Sequence, residues 1–164
     1  MVNFQITNYN GTKEDGEIIT LLTSVFVEEG YTDKLIAKKM FTSVELQKRG
    51  EIILARSCAG KLLGMVIFVR PSSLACQVAK MDEAEIHLLV VYPKVRGQGI
   101  ATQLIIACEQ RVVLLGYFKM VLSTQQSMKG AHRLYEHLGY HRNSRRDWSK
   151  EDKIFFVYEK LLSI

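Results

Sequence analysis

Arg96-Gly97-Gln98-Gly99-Ile100-Ala101 is the stretch of this chain whose residue types and spacing say most about chemistry. It follows an apolar run at residues 86–92 and Pro93, and it opens a long amphipathic segment at residues 102–115. A strand that turns through glycines into a helix leaves the first N–H groups of that helix without intrahelical partners. Those donors and the positive end of the helix dipole converge on one point, where an anion fits. Gly97 and Gly99 have no Cβ, so a phosphate can approach the main chain closely. The spacing predicts a phosphate-bearing cofactor at this turn.

Two further places hold proton-transfer groups. Strand alternation puts residues 85, 87, 89 and 91 on one face, so Glu85 and His87 are side by side. Either suits a base or a proton relay; the alternatives are a strand-end carboxylate in solvent and a histidine satisfied within the sheet. Downstream, Ala131-His132-Arg133-Leu134-Tyr135-Glu136-His137-Leu138-Gly139-Tyr140 reads as a helix closed by glycine. Tyr135 there is either a proton donor or an amphipathic core residue whose hydroxyl reaches the surface. His132, His137 and His141 straddle the helix end at Gly139 and do not share a face, so no metal site is expected. Arg142, Arg145 and Arg146, with Lys150 and Lys153 nearby, read as a solvated loop or as a site for an acidic substrate group or a cofactor phosphate. Trp148 either packs at the base of that loop or lines the acceptor pocket.

These groups need a frame. Residues 4–9 alternate and predict a first strand. Ile18, Leu21, Leu22, Val25 and Phe26 recur at helical spacing, with Gly30 as the stop. Thr32 is placed to cap a second helix that carries Ile36, Met40 and Val44 on one face and ends at Gly50. Residues 52–58 and 62–70, joined by Ala59-Gly60-Lys61, form a hairpin. Residues 85–92 are a buried fourth strand. Ala101, Leu104, Ile105, Cys108, Val112 and Leu115 make the stripe of the following helix. Strands at 118–123, 140–143 and 154–161, a helix at 129–138 and a charged loop at 144–152 complete the reading. The expected fold is a single α/β domain over residues 1–164, with a mixed, mostly antiparallel central sheet of about six to seven strands flanked by about four helices.

The totals exclude several classes. No apolar run reaches the ~18 residues that span a bilayer, and no signal peptide is visible, so no membrane partner is expected. Cys58, Cys76 and Cys108 are odd in number and widely spaced, which suits a reducing, cytoplasmic location. The net charge of +5 permits nucleic acid, but no helix-turn-helix or aromatic stacking platform supports that; an anionic cofactor fits the charge as well.

In its two motifs the chain resembles the GNAT superfamily of acyl-CoA-dependent N-acyltransferases, over nearly its whole length. The family's cofactor motif is Arg or Gln, two residues, Gly, one residue, then Gly or Ala, and it stands complete from Arg96 to Ala101. The second motif at residues 131–140 is similar to the family's segment near the thiol end of the cofactor, except that Met128 stands where Asn is frequent. The resemblance implies acetyl-CoA as cosubstrate, no metal, and a primary amine of a small molecule or peptide as acceptor. Arg96, Gly97, Gln98, Gly99, Ile100 and Ala101 would hold the pyrophosphate, and Leu89, Val90 and Val91 the pantetheine arm beside a bulge in their strand. Glu85 would be the base, with His87 or an ordered water as alternatives, because an amine of pKa ~10.4 must lose a proton before it attacks. Tyr135 would protonate the departing thiolate. Acceptor specificity would lie in residues 25–45, 71–83 and 143–153. Dimers are frequent in the family, so a homodimer is implied. The same fold without catalysis would be an acyl-CoA-binding regulatory module.

Overall fold

β-Branched and aromatic residues at a period of two build the sheet from its first edge. The computed structural model describes residues 1–163. β1 (Phe4–Asn8), β2 (Glu51–Ser57) and β3 (Leu62–Val69) pair antiparallel, with Ile6 opposite Ala55 and Leu54 opposite Met65. β4 (Ala84–Val91) runs parallel to β5 (Lys119–Gln125), with Glu85 opposite Val121. β6 (His141–Arg142) and β7 (Trp148–Lys150) both pair antiparallel with β8 (Lys153–Leu161), which is antiparallel to β5. The sheet order is β1-β2-β3-β4-β5-β8-β6, with β7 on β8.

Among the described residues five α-helices accompany the sheet: α1 (Asp15–Phe26), α2 (Lys34–Met40), α3 (Ser43–Arg49), α4 (Ile100–Leu114) and α5 (Lys129–His137). The expected mixed α/β class holds, with one more strand and one more helix than expected. The extra strand is β7, inside the stretch read as a charged loop. Its three residues carry no strand signature of their own and are ordered by pairing with β8. The extra helix arises because the second expected helix is two. Phe41 leaves the helical region at φ −98, ψ 56 and is buried, and the Thr42 hydroxyl accepts from the Glu45 N–H to start α3. Asp33, not Thr32, caps α2, accepting from the Leu35 N–H at 2.8 Å. The face read from Ile36 and Val44 is exposed; Ala37, Phe41 and Leu46 are the buried residues instead.

Contacts group the described residues into two compact units. The first comprises residues 1–68 and 88–107. Its core includes Ile18, Leu21 and Leu22 of α1, Leu54 of β2, Met65 and Phe68 of β3, and Leu104 of α4, all fully buried. α1 has no side-chain cap, which forgoes about 1 kcal/mol. Each buried Leu or Ile contributes about 1.5–3 kcal/mol, so burial rather than capping holds α1. Arg56 on β2 fastens the start of α1 through Glu14 and Glu17, each at 2.8 Å.

In this unit Gly64 on β3 permits a close approach. A Cβ there would stand 2.8 Å from the Val90 carbonyl oxygen and 3.3 Å from Ile100 Cγ2. Only glycine lets β3 lie against this part of β4 and the first residue of α4.

The second unit comprises residues 69–87 and 108–164. Met120, Val121 and Val157 of β5 and β8, with Cys108 and Val112 of α4, are fully buried there. Glu83 is buried as well, in an ionic network. The Arg146 guanidinium forks onto both its oxygens at 3.1 and 2.7 Å, and the Lys119 ammonium stands 2.9 Å away. Arg146 also donates to Glu159 and to the Val78 carbonyl. This closes the loop at residues 71–83 onto the segment that precedes β7.

Candidate active site

The glycine turn forms as its sequence requires. After β4, Pro93–Val95 make one 3-10 turn, and the chain passes Gly97 at φ 77 and Gly99 at φ 80 into α4. These left-handed values suit glycine, and both residues are exposed, with open space where a Cβ would project. The first backbone bond of the helix is donated by the Gln103 N–H to the Gly99 carbonyl. The N–H groups of residues 97–102 have no hydrogen-bond partner among the described residues. Several donors at a helix N-terminus, beside a surface cleared of side chains, fit a diphosphate.

Two motif side chains are committed elsewhere. Arg96 Nε donates to the Val91 carbonyl at 3.2 Å and its NH2 group lies 2.8 Å from Glu29. The Gln98 amide oxygen accepts the Val2 N–H at 2.6 Å. A groove of about 510 Å³ runs along this face of the first unit, lined by Phe4, Ile6, Gln98, Gly99, Thr102 and Gln103.

In the second unit Glu85 has no solvent exposure. Its Oε2 accepts three consecutive backbone donors, the N–H groups of Gln77, Val78 and Ala79, at 3.0, 3.1 and 2.9 Å. Its Oε1 lies 2.8 Å from His87 Nε2. Burial acts to raise the pKa of Glu85, but the bond and charge of His87 and the N–H groups of Ala79 and Val78 outweigh it and hold the carboxyl below its ordinary value. The reading of Glu85 as a strand-end carboxylate in solvent is thereby corrected: the loop before β4 folds over it. His87 retains 8% exposure.

The alternation that pairs Glu85 with His87 stops one residue later. Leu88 has φ 51, a left-handed value uncommon for leucine, so the period of two does not carry through to residues 89 and 91. Leu88 and Leu89 are half-buried, whereas Val90 and Val91 are buried at 4% and 7% exposure. The irregularity stands where the resemblance implies a bulge.

Tyr135 on α5 is 6% exposed and packs edge-on to Tyr140, with ring centroids 6.0 Å apart, and against Tyr158 at 5.9 Å. Burial raises its pKa well above the ordinary phenol value, so the hydroxyl keeps its proton at neutral pH. No hydrogen-bond partner for that hydroxyl occurs among the described residues, whereas the neighbouring Tyr140 and Tyr158 hydroxyls donate to Glu109 and Glu136.

The basic loop is not a free cationic patch. Arg146 is spent on Glu83 and Glu159, and Arg142 pairs with Asp147 and lies 3.4 Å over the Phe156 ring. Arg145 remains exposed. Trp148 packs at the loop base, stacked on Phe155 at 4.1 Å and 8°. His132 bonds the Gln125 carbonyl at 3.0 Å and stacks on Phe156, and no metal-binding cluster occurs among the described residues.

The structure thus joins Glu85 to His87 and ties Arg96 to Val91. It puts residues 89–91 and 96–101 in the first unit, and Glu85, His87 and Tyr135 in the second. Sequence reasoning missed Glu29 and the amides of residues 77–79. The only advance signal for the latter was a loop of the right length just before Glu85.

The model of the acetyltransferase (GNAT) family matches residues 16–140. Among solved structures, an acetyltransferase from Streptococcus agalactiae superposes with TM-score 0.76 at 20% identity, covering 98% of this chain and 99% of its own. A GNAT-family acetyltransferase from Staphylococcus aureus gives 0.77 at 18%, with 98% and 99% covered. The PaiA N-acetyltransferase from Thermoplasma acidophilum, in complex with coenzyme A, gives 0.75 at 14%, with 97% and 99% covered. At these identities the likeness shows the fold. No curated protein matches the chain.

Proposed function

The chain belongs to the GNAT family of acetyltransferases, and from that premise we propose that it transfers an acetyl group directly from acetyl-CoA to a primary amine of a small molecule or peptide. One observation carries the reading: the unpartnered N–H groups of residues 97–102, at a turn whose two glycines leave the main chain bare. Main-chain donors in a row suit the pyrophosphate of coenzyme A, and the coenzyme A complex of the Thermoplasma relative supports the same ligand. Arg96 to Ala101 would hold that pyrophosphate, and Leu89, Val90 and Val91 the pantetheine arm.

The remaining chemistry is proton movement. The Glu85–His87 pair on β4 takes one proton from the ammonium form; the neutral amine nitrogen then bonds to the thioester carbonyl carbon and sheds its second proton to water. The C–S bond breaks, its electron pair leaves on sulfur, and sulfur takes a proton from the Tyr135 hydroxyl. Exchange with water resets both groups, so amine plus thioester become amide plus thiol. Each well-placed acid or base contributes roughly 10²–10⁴-fold. The scheme needs no covalent enzyme intermediate.

Calorimetry with coenzyme A, followed by thiol-release assays on polyamines, amino acids, aminoglycosides and peptides, tests the proposal. Binding together with amine-dependent thiol release is the expected result. Indifference to millimolar coenzyme A would overturn it, and binding without transfer to any amine would make the protein an acyl-CoA-binding module instead.

A further inference from the structure

We propose that the loop at residues 71–83 is a lid over the Glu85–His87 pair, latched through its main chain and able to open while the sheet stays folded. Its purpose rests on the reading above: a pair that takes up a proton in each turnover must return it to water. Glu85 has no solvent exposure and His87 only 8%, and the amides of the loop are what close over Glu85. Opening of the loop admits water to the pair.

The loop covers a buried group without belonging to the core. None of residues 71–82 is buried, and Leu74 and Met81 stand in solvent. Apolar burial, the main force that holds an element down, therefore contributes little here. The latch is polar instead. The N–H groups of Gln77, Val78 and Ala79 converge on Glu85 Oε2, and the Val78 carbonyl accepts from Arg146. Val78 is thus gripped by both of its main-chain groups.

The root of the loop is tied independently of its tip. The Ser72 hydroxyl donates to the Met81 carbonyl at 3.0 Å and joins the two ends. Ser72 has φ 62, an uncommon value for a residue with a Cβ, directly after Pro71. At the other end Glu83 accepts the Lys80 N–H at 2.9 Å and the Arg146 fork. The tip, residues 73–79, carries the three donors and is bonded within itself, the Cys76 N–H to the Ser73 carbonyl and the Ala75 N–H to the Ser73 hydroxyl. Lifting the tip breaks few bonds, chiefly those to Glu85 and Arg146. A segment with that balance belongs to the low-stability end of a fold, where opening does not require unfolding.

The test is native-state amide exchange on the ¹⁵N-labelled full-length protein, followed by NMR at urea concentrations below the unfolding transition. The amides of Gln77, Val78 and Ala79 should be protected, yet exchange at least roughly tenfold faster than those of Met120, Val121 and Leu122 on β5. They should hardly respond to urea, because a polar loop exposes little new surface. Glu85→Gln keeps an acceptor oxygen but loses the charge, and should speed exchange at residues 77–79 roughly tenfold or more relative to β5. Arg146→Lys keeps the charge beside Glu83 and Glu159 but not the planar fork, and should act in the same direction. Wild-type amides at 77–79 that follow β5 in both rate and urea slope would overturn the proposal, since the loop would then open only with the fold. Exchange without protection would overturn it too, and so would unchanged exchange in Glu85→Gln. The two wild-type outcomes need no variant to fold, and none of the readouts uses an amine. A wild type inert toward every amine would remove the acetyltransferase reading and the purpose given to the lid, whereas the lid itself is judged by exchange alone.

Discussion

Arg96 and Glu29 form an ion pair at 2.8 Å, and the same guanidinium donates through Nε to the Val91 carbonyl. The first side chain of the glycine motif thus fastens the end of β4 to the segment between α1 and α2. The pair is partly exposed, Arg96 at 45% and Glu29 at 27%, so it contributes at most about 1 kcal/mol to stability. Its consequence is for ligands: Glu29 is a fixed negative charge on an arginine next to the turn that the pyrophosphate is proposed to occupy.

Replacing Glu29 with Gln is therefore expected to tighten coenzyme A binding a few-fold, more strongly at low salt, where charges at this range are less screened. Calorimetry at two ionic strengths measures it. Unchanged or weaker binding at low salt would mean that Arg96 and the ligand do not share a field.

Gly99→Asp tests the turn itself. Gly99 is at φ 80, where an L side chain costs about 1–2 kcal/mol, and its missing Cβ points into open space. Aspartate adds a carboxylate where the phosphates are expected. The protein should fold, with a modest loss of stability, and show no heat with coenzyme A. Wild-type affinity in this variant would move the phosphate site elsewhere.

Gly64→Ala addresses the scaffold rather than the ligand. The new Cβ would meet the Val90 carbonyl oxygen at 2.8 Å, and backbone cannot yield as a flexible side chain can. Overpacking of this kind costs about 1–3 kcal/mol. Urea denaturation should show that loss; an unchanged midpoint would mean that β3 and β4 separate there without cost.

The elements that were legible in the sequence are those written locally. The glycine turn, the β2–β3 hairpin and the helix stop at Gly139 each follow from a few adjacent residues whose backbone preferences leave few choices. The illegible ones depend on distant partners. Trp148-Ser149-Lys150 becomes a strand only because β8 offers it a ladder. Phe41 ends α2 because burial of its ring against Phe26, 5.6 Å away, outweighs continuation of the helix. Leu88 breaks the alternation of β4 although nothing in its residue type requires it. The site divides in the same way. Glu85 and His87 could be paired from the period of two, but the three amides that saturate Glu85 come from a loop with no pattern, and Glu29 reaches Arg96 through tertiary structure alone.

Tyr135→Phe separates chemistry from binding. The ring is buried among Tyr140 and Tyr158, and Phe keeps that packing. If the hydroxyl protonates the leaving sulfur, turnover should fall by roughly 10²–10⁴-fold with coenzyme A affinity intact. Because burial keeps this phenol protonated, the wild type should lose no activity from its ionisation between pH 7 and 9. Full turnover in the Phe variant would return Tyr135 to a packing role.

Acid stability should report the Glu83 network. Burial alone would raise the Glu83 pKa, but the Arg146 fork, the Lys80 N–H and the Lys119 ammonium outweigh it and hold the carboxyl at about 2 instead of 4.5. The folded value lies below the unfolded one, so the stabilisation is fully present above pH ~4.5 and is lost as pH falls toward about 2. Such a difference corresponds to about 3 kcal/mol. Glu85 and Glu159 are shifted in the same direction, so the wild type should lose at least that much between pH 5 and 2. Glu83→Gln should be less stable at neutral pH, because among the described residues Arg146 and Lys119 keep only Glu159 as a charged partner, and its stability should fall less steeply with acid. Urea titrations of both proteins at pH 7, 5 and 3 make the comparison. Parallel curves would show that Glu83 gains no net stabilisation from its two cations.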